Sequence, residues 1–366
     1  MSMRDANEPV KLLEVPQKGA LIKMRMLLEI QKKLLPDLID VLGMRFRVLR
    51  FIRLMQPIGR RTLANNLEMS ERTLRSEVTF LKEQGLIYVE TSGMRLTEEG
   101  NNLLSQLEDM MKEIFDIRAM ENELKDLLGL KEVFIVPGNS DEYPWVKKEM
   151  GRTCISLMKK KLLANGNTIA VTGGTTIAAV AEMMVPDVDL KEALFVPARG
   201  GLGEQVENQA NTICATMARK AMGEYRLLYV PDQLSKEAYE SLIDEPSIKQ
   251  ILDLIHSANL VVHGIGDANT MAKRRSSSIE VVEKLKNEKA VAEAFGYYFN
   301  KSGDIIHKVL TIGLQLEELV TIPHIIAVSG GTSKAMAIQA YMKHGPSQVL
   351  VTDEGAAKAI LKNSKV

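Results

Sequence analysis

Two stretches carry nearly the same phrase: IAVTGGTT at Ile169–Thr176 and IAVSGGTSK at Ile326–Lys334. Each is an apolar β-branched run, then a hydroxyl residue, two glycines and further hydroxyls, and each leads into an alanine-rich amphipathic stretch. The spacing predicts strand, tight glycine turn and helix N-terminus, twice. A helix start offers unpaired N–H groups and the positive end of the helix dipole. Glycines let that backbone approach an anion, and hydroxyls add donors. Gly173, Gly174, Thr175 and Thr176 therefore read either as a phosphate cradle or as a structural turn between strand and helix. The second phrase adds the cation Lys334. Arg199 follows an apolar run in FVPARGG, and Arg274 and Arg275 lie in AKRRSSS, a polar stretch that reads as a loop. Such groups could converge on a small molecule with two anionic ends. In the competing reading, the repeat reflects two equivalent folding units of one sheet.

Other chemistry finds less support. The G-x-x-x-x-G-K-[ST] and G-x-G-x-x-G spacings are both missing, so nothing points to ATP or dinucleotide binding. Asp267, His263, Glu293 and Asp353 stand near predicted strand ends but make no recognisable acid–base set; loop hydrogen bonding and helix capping are the roles expected of them. The five histidines form no HxxH or HExxH pattern, and Cys154 and Cys214 stand far apart. Neither a metal nor a cofactor is expected, and both thiols read as buried in a reducing cytosol.

These residues need a scaffold. The 366 residues suffice for two or three domains. No apolar run approaches the roughly 18–20 residues that cross a bilayer. The N-terminus has no apolar signal core, so no membrane association and a cytoplasmic location are expected. From about Lys131, runs such as VFIVPG, TIAVTGG, ALFVPARGG, RLLYVP, NLVVHGIG, GYYFN and HIIAVSGG alternate with helical stretches. Near-continuous apolar strands between helices predict an open, mostly parallel α/β sheet. Ligands gather at the carboxyl ends of such strands, where both glycine phrases fall.

The N-terminal third has another character. Residues 1–20 read as a flexible lead, and 21–42 as one or two helices interrupted by Pro36. Net charge is zero overall, but Met44–Leu96 holds ten Lys or Arg against five Asp or Glu, while Thr97–Asp126 holds three against nine. Met44–Met55 reads as a helix with Phe46, Leu49 and Ile52 inward. A break at Gln56–Gly59, a short helix over 60–67, a turn, and a helix capped by Ser70 follow. Leu74, Val78 and Leu81 recur at helical spacing, and Gly85 stops the run. LIYVE and MRLT then make a hairpin. The order is that of a winged helix-turn-helix, with the DNA-binding domain at 21–96. A recognition helix must present short polar and Arg side chains to a major groove. Ser70, Glu71, Arg72, Arg75 and Ser76 fit that helix; Arg60, Arg61 and Arg95 fit phosphate contacts beside it. The module could instead be reused for protein contacts. Residues 97–128 read as a linker helix, which either dimerises or packs on its own domain, leaving 129–366 as the effector and oligomerisation domain.

TGGTT, FVPARGGLG, NQANTICATMA, VHGIGDANTMAKRR, EAFGYYFNKSGDIIHKV, IIAVSGGTSKAMAI and VLVTDEGAAK together resemble the effector domain of the SorC family of sugar-responsive transcriptional regulators. The resemblance extends to QKKLLPDLI, QPIGRR and LTEEG in the DNA-binding part. It implies a repressor of a glycolytic operon, released or remodelled by fructose-1,6-bisphosphate or a related sugar phosphate. It also implies an effector domain similar to sugar-phosphate isomerases and deaminases, acting as a sensor. By that resemblance Thr175 and Thr176 hold one phosphate, with Gly173 and Gly174 in the cradle. Arg274 and Lys334 serve the phosphates, Arg199 and Gln209 lie near the sugar or a phosphate, and Glu293 accepts from a sugar hydroxyl. The expected partners are operator DNA, a phosphorylated sugar and further copies of the chain, as a dimer and as a tetramer on DNA. The rival class is a sugar-phosphate isomerase or deaminase with an added DNA-binding module.

Overall fold

The computed structural model describes residues 33–163, 166–201 and 205–364. The expected flexible lead, and the predicted helical stretch as far as residue 32, lie outside the described residues. The chain divides into two compact units, Met1–Asp116 and Ile117–Val366.

In the first unit, Lys33 and Leu34 are helical, Leu35 is not, and α1 (Pro36–Met55) starts at Pro36, so the helical stretch is interrupted there as expected. At a first helical position proline's missing N–H and fixed φ cost nothing. The expected inward residues Phe46, Leu49 and Ile52 are buried. Helix α2 (Arg60–Asn66) and helix α3 (Glu71–Glu83) flank the turn, where Glu68 takes a left-handed φ of 53°. The Ser70 hydroxyl caps α3, accepting from Thr73 N at 3.0 Å. Leu74, Val78 and Leu81 are nearly inaccessible, each worth about 1.5–3 kcal/mol of burial. Strands β1 (Ile87–Glu90) and β2 (Gly93–Leu96) form an antiparallel hairpin, and Ile58 pairs with Met94 on its other edge. Helix α4 (Glu98–Ile114) closes the unit, its start capped by Thr97.

The stretch expected to form one linker helix is two. Its second part is α5 (Ile117–Leu128), and Asp116 between them has φ 56°. Ile117, Leu124 and Leu128 join the core of the second unit, so this half packs on its own domain.

The second unit continues with β3 (Glu132–Val136), α6 (Trp145–Lys161), β4 (Thr168–Val171), α7 (Thr175–Met183), β5 (Leu194–Pro197), α8 (Ala210–Ala221) and β6 (Glu224–Tyr225). Then come α9 (Lys236–Ile243), α10 (Pro246–His256), β7 (Leu260–His263), β8 (Gly266–Asp267), α11 (Ala268–Arg274) and α12 (Ile279–Asn287). Last are β9 (Ala290–Ala294), β10 (Tyr297–Asn300), β11 (Ile305–Lys308), β12 (His324–Val328), α13 (Ala335–His344), β13 (Val349–Asp353) and α14 (Glu354–Ser364). Seven strands form a parallel sheet in the order β3-β13-β12-β7-β4-β5-β6. Alternate side chains feed two cores. Ile169, Val171, Leu260, Val262, Ile326 and Val328 meet Met150, Cys154, Val180 and Met217 of α6, α7 and α8. Ala170, Val261, Ile325 and Ala327 meet Leu124, Ile255, Ile338 and Ile360 of α5, α10, α13 and α14. A sheet buried on both faces needs apolar residues in both phases, which is why its strands read as continuous runs.

Two strand expectations change. GYYFN lies in a separate four-stranded antiparallel sheet, β11-β10-β9-β8, with Phe295 and Gly296 (φ 53° and 85°) turning β9 into β10. RLLYVP is not a regular strand; β6 ends at Tyr225, and Pro231 makes an isolated bridge with Gly201.

Candidate functional site

From β4 the chain proceeds to β5 and β6 on one side, while β7 leads to β12 and β13 on the other. The strand order therefore reverses between β4 and β7, the position where open α/β sheets form a crevice at their carboxyl ends. Thr172 ties the two strand ends together, its N–H donating to Val262 O (3.1 Å) and its hydroxyl accepting from Gly264 N (3.2 Å). All nine residues expected at the effector site line this one cleft: Gly173, Gly174, Thr175, Thr176, Arg199, Gln209, Arg274, Glu293 and Lys334.

The two glycine phrases have similar backbones and opposite fates. Gly174 precedes α7 with φ 115°, and Gly331 precedes Thr332 with φ 99°, conformations that glycine adopts without strain. A Cβ on Gly173 would stand 2.7 Å from Asn208 O, so the chain passes too close there for any side chain. At α7 no side chain caps the helix, and its first turn opens on the cleft. At the second phrase the chain's own groups fill the cradle. Asp353 accepts from Gly331 N (2.7 Å), Asn139 from Thr332 N (3.3 Å), and Asp141 from both Ser333 N (2.7 Å) and Ser333 Oγ (2.9 Å). Only Lys334 of that phrase reaches the cleft. The repeat thus marks two equivalent strand–turn–helix units, of which one leaves its helix start open to the cleft.

Lys334 donates to Ile265 O at 3.0 Å. Burial pushes its pKa below the ordinary lysine value, and Lys147 and Arg274 push the same way. Arg274 stands at the C-terminal end of α11 and not in a loop, because Asp267 caps that helix by accepting from Thr270 N. Arg199 and Glu293 are buried together with Arg275, named from the sequence only as one of the AKRRSSS cations, and Asp232, which sequence reasoning did not assign to the site. Arg275 bonds Asp232 (2.8 Å), Glu293 (2.9 Å) and Tyr298 Oη (3.1 Å). Desolvation opposes its charge, but Glu293 and Asp232 outweigh that and raise its pKa. Arg199 lies 2.6 Å from Asp232 and 3.4 Å from Glu293. The one signal for Asp232 was its place directly after the apolar run RLLYVP.

In the first unit, Arg60, Arg61, Ser70, Glu71, Arg72, Arg75, Ser76 and Arg95 are all exposed. Arg60, Arg61, Glu71 and Arg75 border one hollow between α2 and α3, with Arg61 and Glu71 paired at 3.4 Å. The Ser70 hydroxyl is engaged in capping α3. Arg95 lies on β2 opposite Tyr88.

Residues 112–362 match a family described as "Putative sugar-binding domain", and residues 41–111 match the "CggR N-terminal DNA binding domain". The chain is 59% identical to the central glycolytic genes regulator of Priestia megaterium over 340 residues, spanning 93% of this chain and 99% of that protein. It is 58% identical to the protein of the same name from Bacillus subtilis, over 93% of this chain and the whole of that one. The chain belongs to the family of central glycolytic genes regulators. Among solved structures, a "putative SorC family transcriptional regulator" from Enterococcus faecalis superposes with a TM-score of 0.63 at 49% identity, over 66% of this chain and 99% of that one.

As a central glycolytic genes regulator the chain is a transcription regulator with a DNA-binding and a sugar-binding domain, not an enzyme. The four groups weighed for acid–base work have structural duties. Asp267 caps α11, and Asp353 accepts from Ser140, Gly331 and Ala356 N–H groups. Glu293 serves the arginines and Gly296 N. His263 is inaccessible to solvent, and burial pushes its pKa down to about 4. The Gly264 carbonyl can only accept, so His263 Nδ1 carries the proton and Nε2 accepts from Ser347 Oγ. Burial raises the pKa of both the Cys154 and Cys214 thiols, which leaves them unreactive. Among the described residues no His, Cys, Asp and Glu cluster could hold a metal, and no helix is long and apolar enough to cross a membrane.

Proposed function

We propose that this regulator represses glycolytic genes from an operator site and that a phosphorylated sugar, fructose-1,6-bisphosphate in the first place, relieves the repression. The observation that carries the effector reading is that the uncapped start of α7 and the cations Lys334 and Arg274 line one cleft, and that Lys334 has no carboxylate at ion-pair distance among the described residues. A phosphate would accept from the α7 backbone and from Thr175 and Thr176, while Lys334 and Arg274 balance its charge. Arg199 and Gln209 would face the sugar or its second phosphate. Glu293, with Oε1 already held by Arg275, would use Oε2 as a hydroxyl acceptor.

On the DNA side, α3 would enter the major groove with Arg72, Arg75 and Ser76. Arg60 and Arg61 would meet phosphates, and the β1–β2 hairpin would act as a wing carrying Arg95. The same reading includes a sensor fold akin to sugar-phosphate isomerases and deaminases, a cytoplasmic location, and assembly as a dimer or a tetramer on repeated half-sites. The test is fluorescence anisotropy of operator DNA with the full chain. Added fructose-1,6-bisphosphate should weaken binding for the wild type and much less for Thr175→Val. Unchanged DNA affinity across the saturating range of the sugar would end this reading.

A further inference from the structure

Two arginines and two carboxylates line the cleft together, Arg199, Arg275, Asp232 and Glu293, all four less than a tenth exposed. The arginines are not equivalent. Arg275 is saturated by Asp232, Glu293 and Tyr298. Arg199 has Asp232 at 2.6 Å and a long 3.4 Å contact to Glu293, yet its Nε and Nη2 are buried without an acceptor in hydrogen-bonding geometry. Asp232 is held firmly in place: its N–H donates to Gly201 O (2.8 Å), and Gly201 N donates to Val230 O (3.0 Å).

We propose that Asp232 is a specificity-determining residue: as the built-in counter-ion of Arg199, it sets how much the cleft gains from a second phosphate. The inference rests on reading the cleft as a sugar-phosphate site. A second phosphate reaching Arg199 must share the guanidinium with a fixed carboxylate. Its net electrostatic gain is therefore small. Asp232 thereby narrows the preference for a bisphosphate over a monophosphate. It also keeps the charge of Arg199 compensated when the cleft holds no ligand.

The experiment is calorimetric titration of the full chain with fructose-1,6-bisphosphate and with fructose-6-phosphate. Asp232→Asn keeps the shape and an acceptor for Arg275 while removing the competing charge. It should tighten the bisphosphate about tenfold and shift the monophosphate less than about twofold. In an Arg199→Gln background the same change should leave the ratio of the two affinities unaltered, because the shared cation is gone. That second comparison also stands if Asp232→Asn alone does not fold. A ratio that is unchanged or reduced in Asp232→Asn, or that rises equally without Arg199, overturns the proposal. If the wild type binds neither sugar, the reading of the cleft fails, and this inference with it.

Discussion

Lys334→Gln separates a ligand-binding cation from a structural one. In the unliganded cleft the ammonium bonds one carbonyl, Ile265 O, and burial with the nearby Lys147 and Arg274 depresses its pKa. The charge therefore costs the unliganded fold something, and glutamine keeps a donor for the carbonyl. The melting temperature without ligand should stay within about 2 °C, since a whole kcal/mol would move a unit of this size by about 2–4 °C. Ligand binding should suffer much more. A hydrogen bond to a charged group is worth about 1.5–3 kcal/mol, so the dissociation constant should rise about 10–150-fold. At a sugar concentration about 100 times the wild-type constant, the wild type gains roughly 2.7 kcal/mol. The variant should gain only about 0.3–1.4 kcal/mol from the same solution. Paired thermal melts with and without fructose-1,6-bisphosphate read both effects. An unchanged ligand-induced shift, or an unliganded melting temperature lowered by more than about 5 °C, would refute the reasoning and make Lys334 a strut.

His263 should make the fold acid-sensitive. Its unfolded form takes up a proton near pH 6.5 and its buried form only near pH 4, so the contribution is full above pH 6.5 and drains as pH falls toward 4. The loss is on the order of 3 kcal/mol, seen as a urea midpoint that falls between pH 7.5 and 4.5 in the wild type and falls less in His263→Gln. Asp141→Ala, which empties part of the second cradle, should cost about 1 kcal/mol of stability, as loss of a helix cap does. It should leave sugar affinity unchanged; a tenfold loss by calorimetry would mean the second phrase belongs to the site. In competition binding, Arg75→Ala should relax the choice of one operator base by about 1–3 kcal/mol, whereas Arg60→Ala should weaken all DNA and lower the salt slope by about one.

The parallel sheet was legible because strands buried on both faces, such as IAV before each glycine pair, leave no room for polar residues. The helix-turn-helix was legible because Ser70, Leu74, Val78 and Leu81 state cap and face in the local sequence. The antiparallel sheet escaped notice because its signal is one two-residue turn, Phe295-Gly296, between short strands. The linker's division escaped because Asp116, with a left-handed backbone, is not a residue type that ends helices by itself. At the site, the cations that line the cleft were readable from residue types. That the second cradle is filled by Asp141 and Asp353 was not, since those partners lie 192 and 22 positions away along the chain. Nor was the pairing of Arg275 with Asp232, 43 positions apart, which buries one arginine of the RR pair while both line the cleft.

The account holds that a sugar in the cleft and an operator on α3 act on one equilibrium. The most direct measurement is the affinity of the full chain for fructose-1,6-bisphosphate, titrated free and then saturated with operator DNA at the same ionic strength. Linkage requires the sugar to bind more weakly to the DNA complex, by the same factor that the sugar weakens DNA binding. Equal affinities for the two forms would contradict the account, because a ligand that does not distinguish two states cannot shift them.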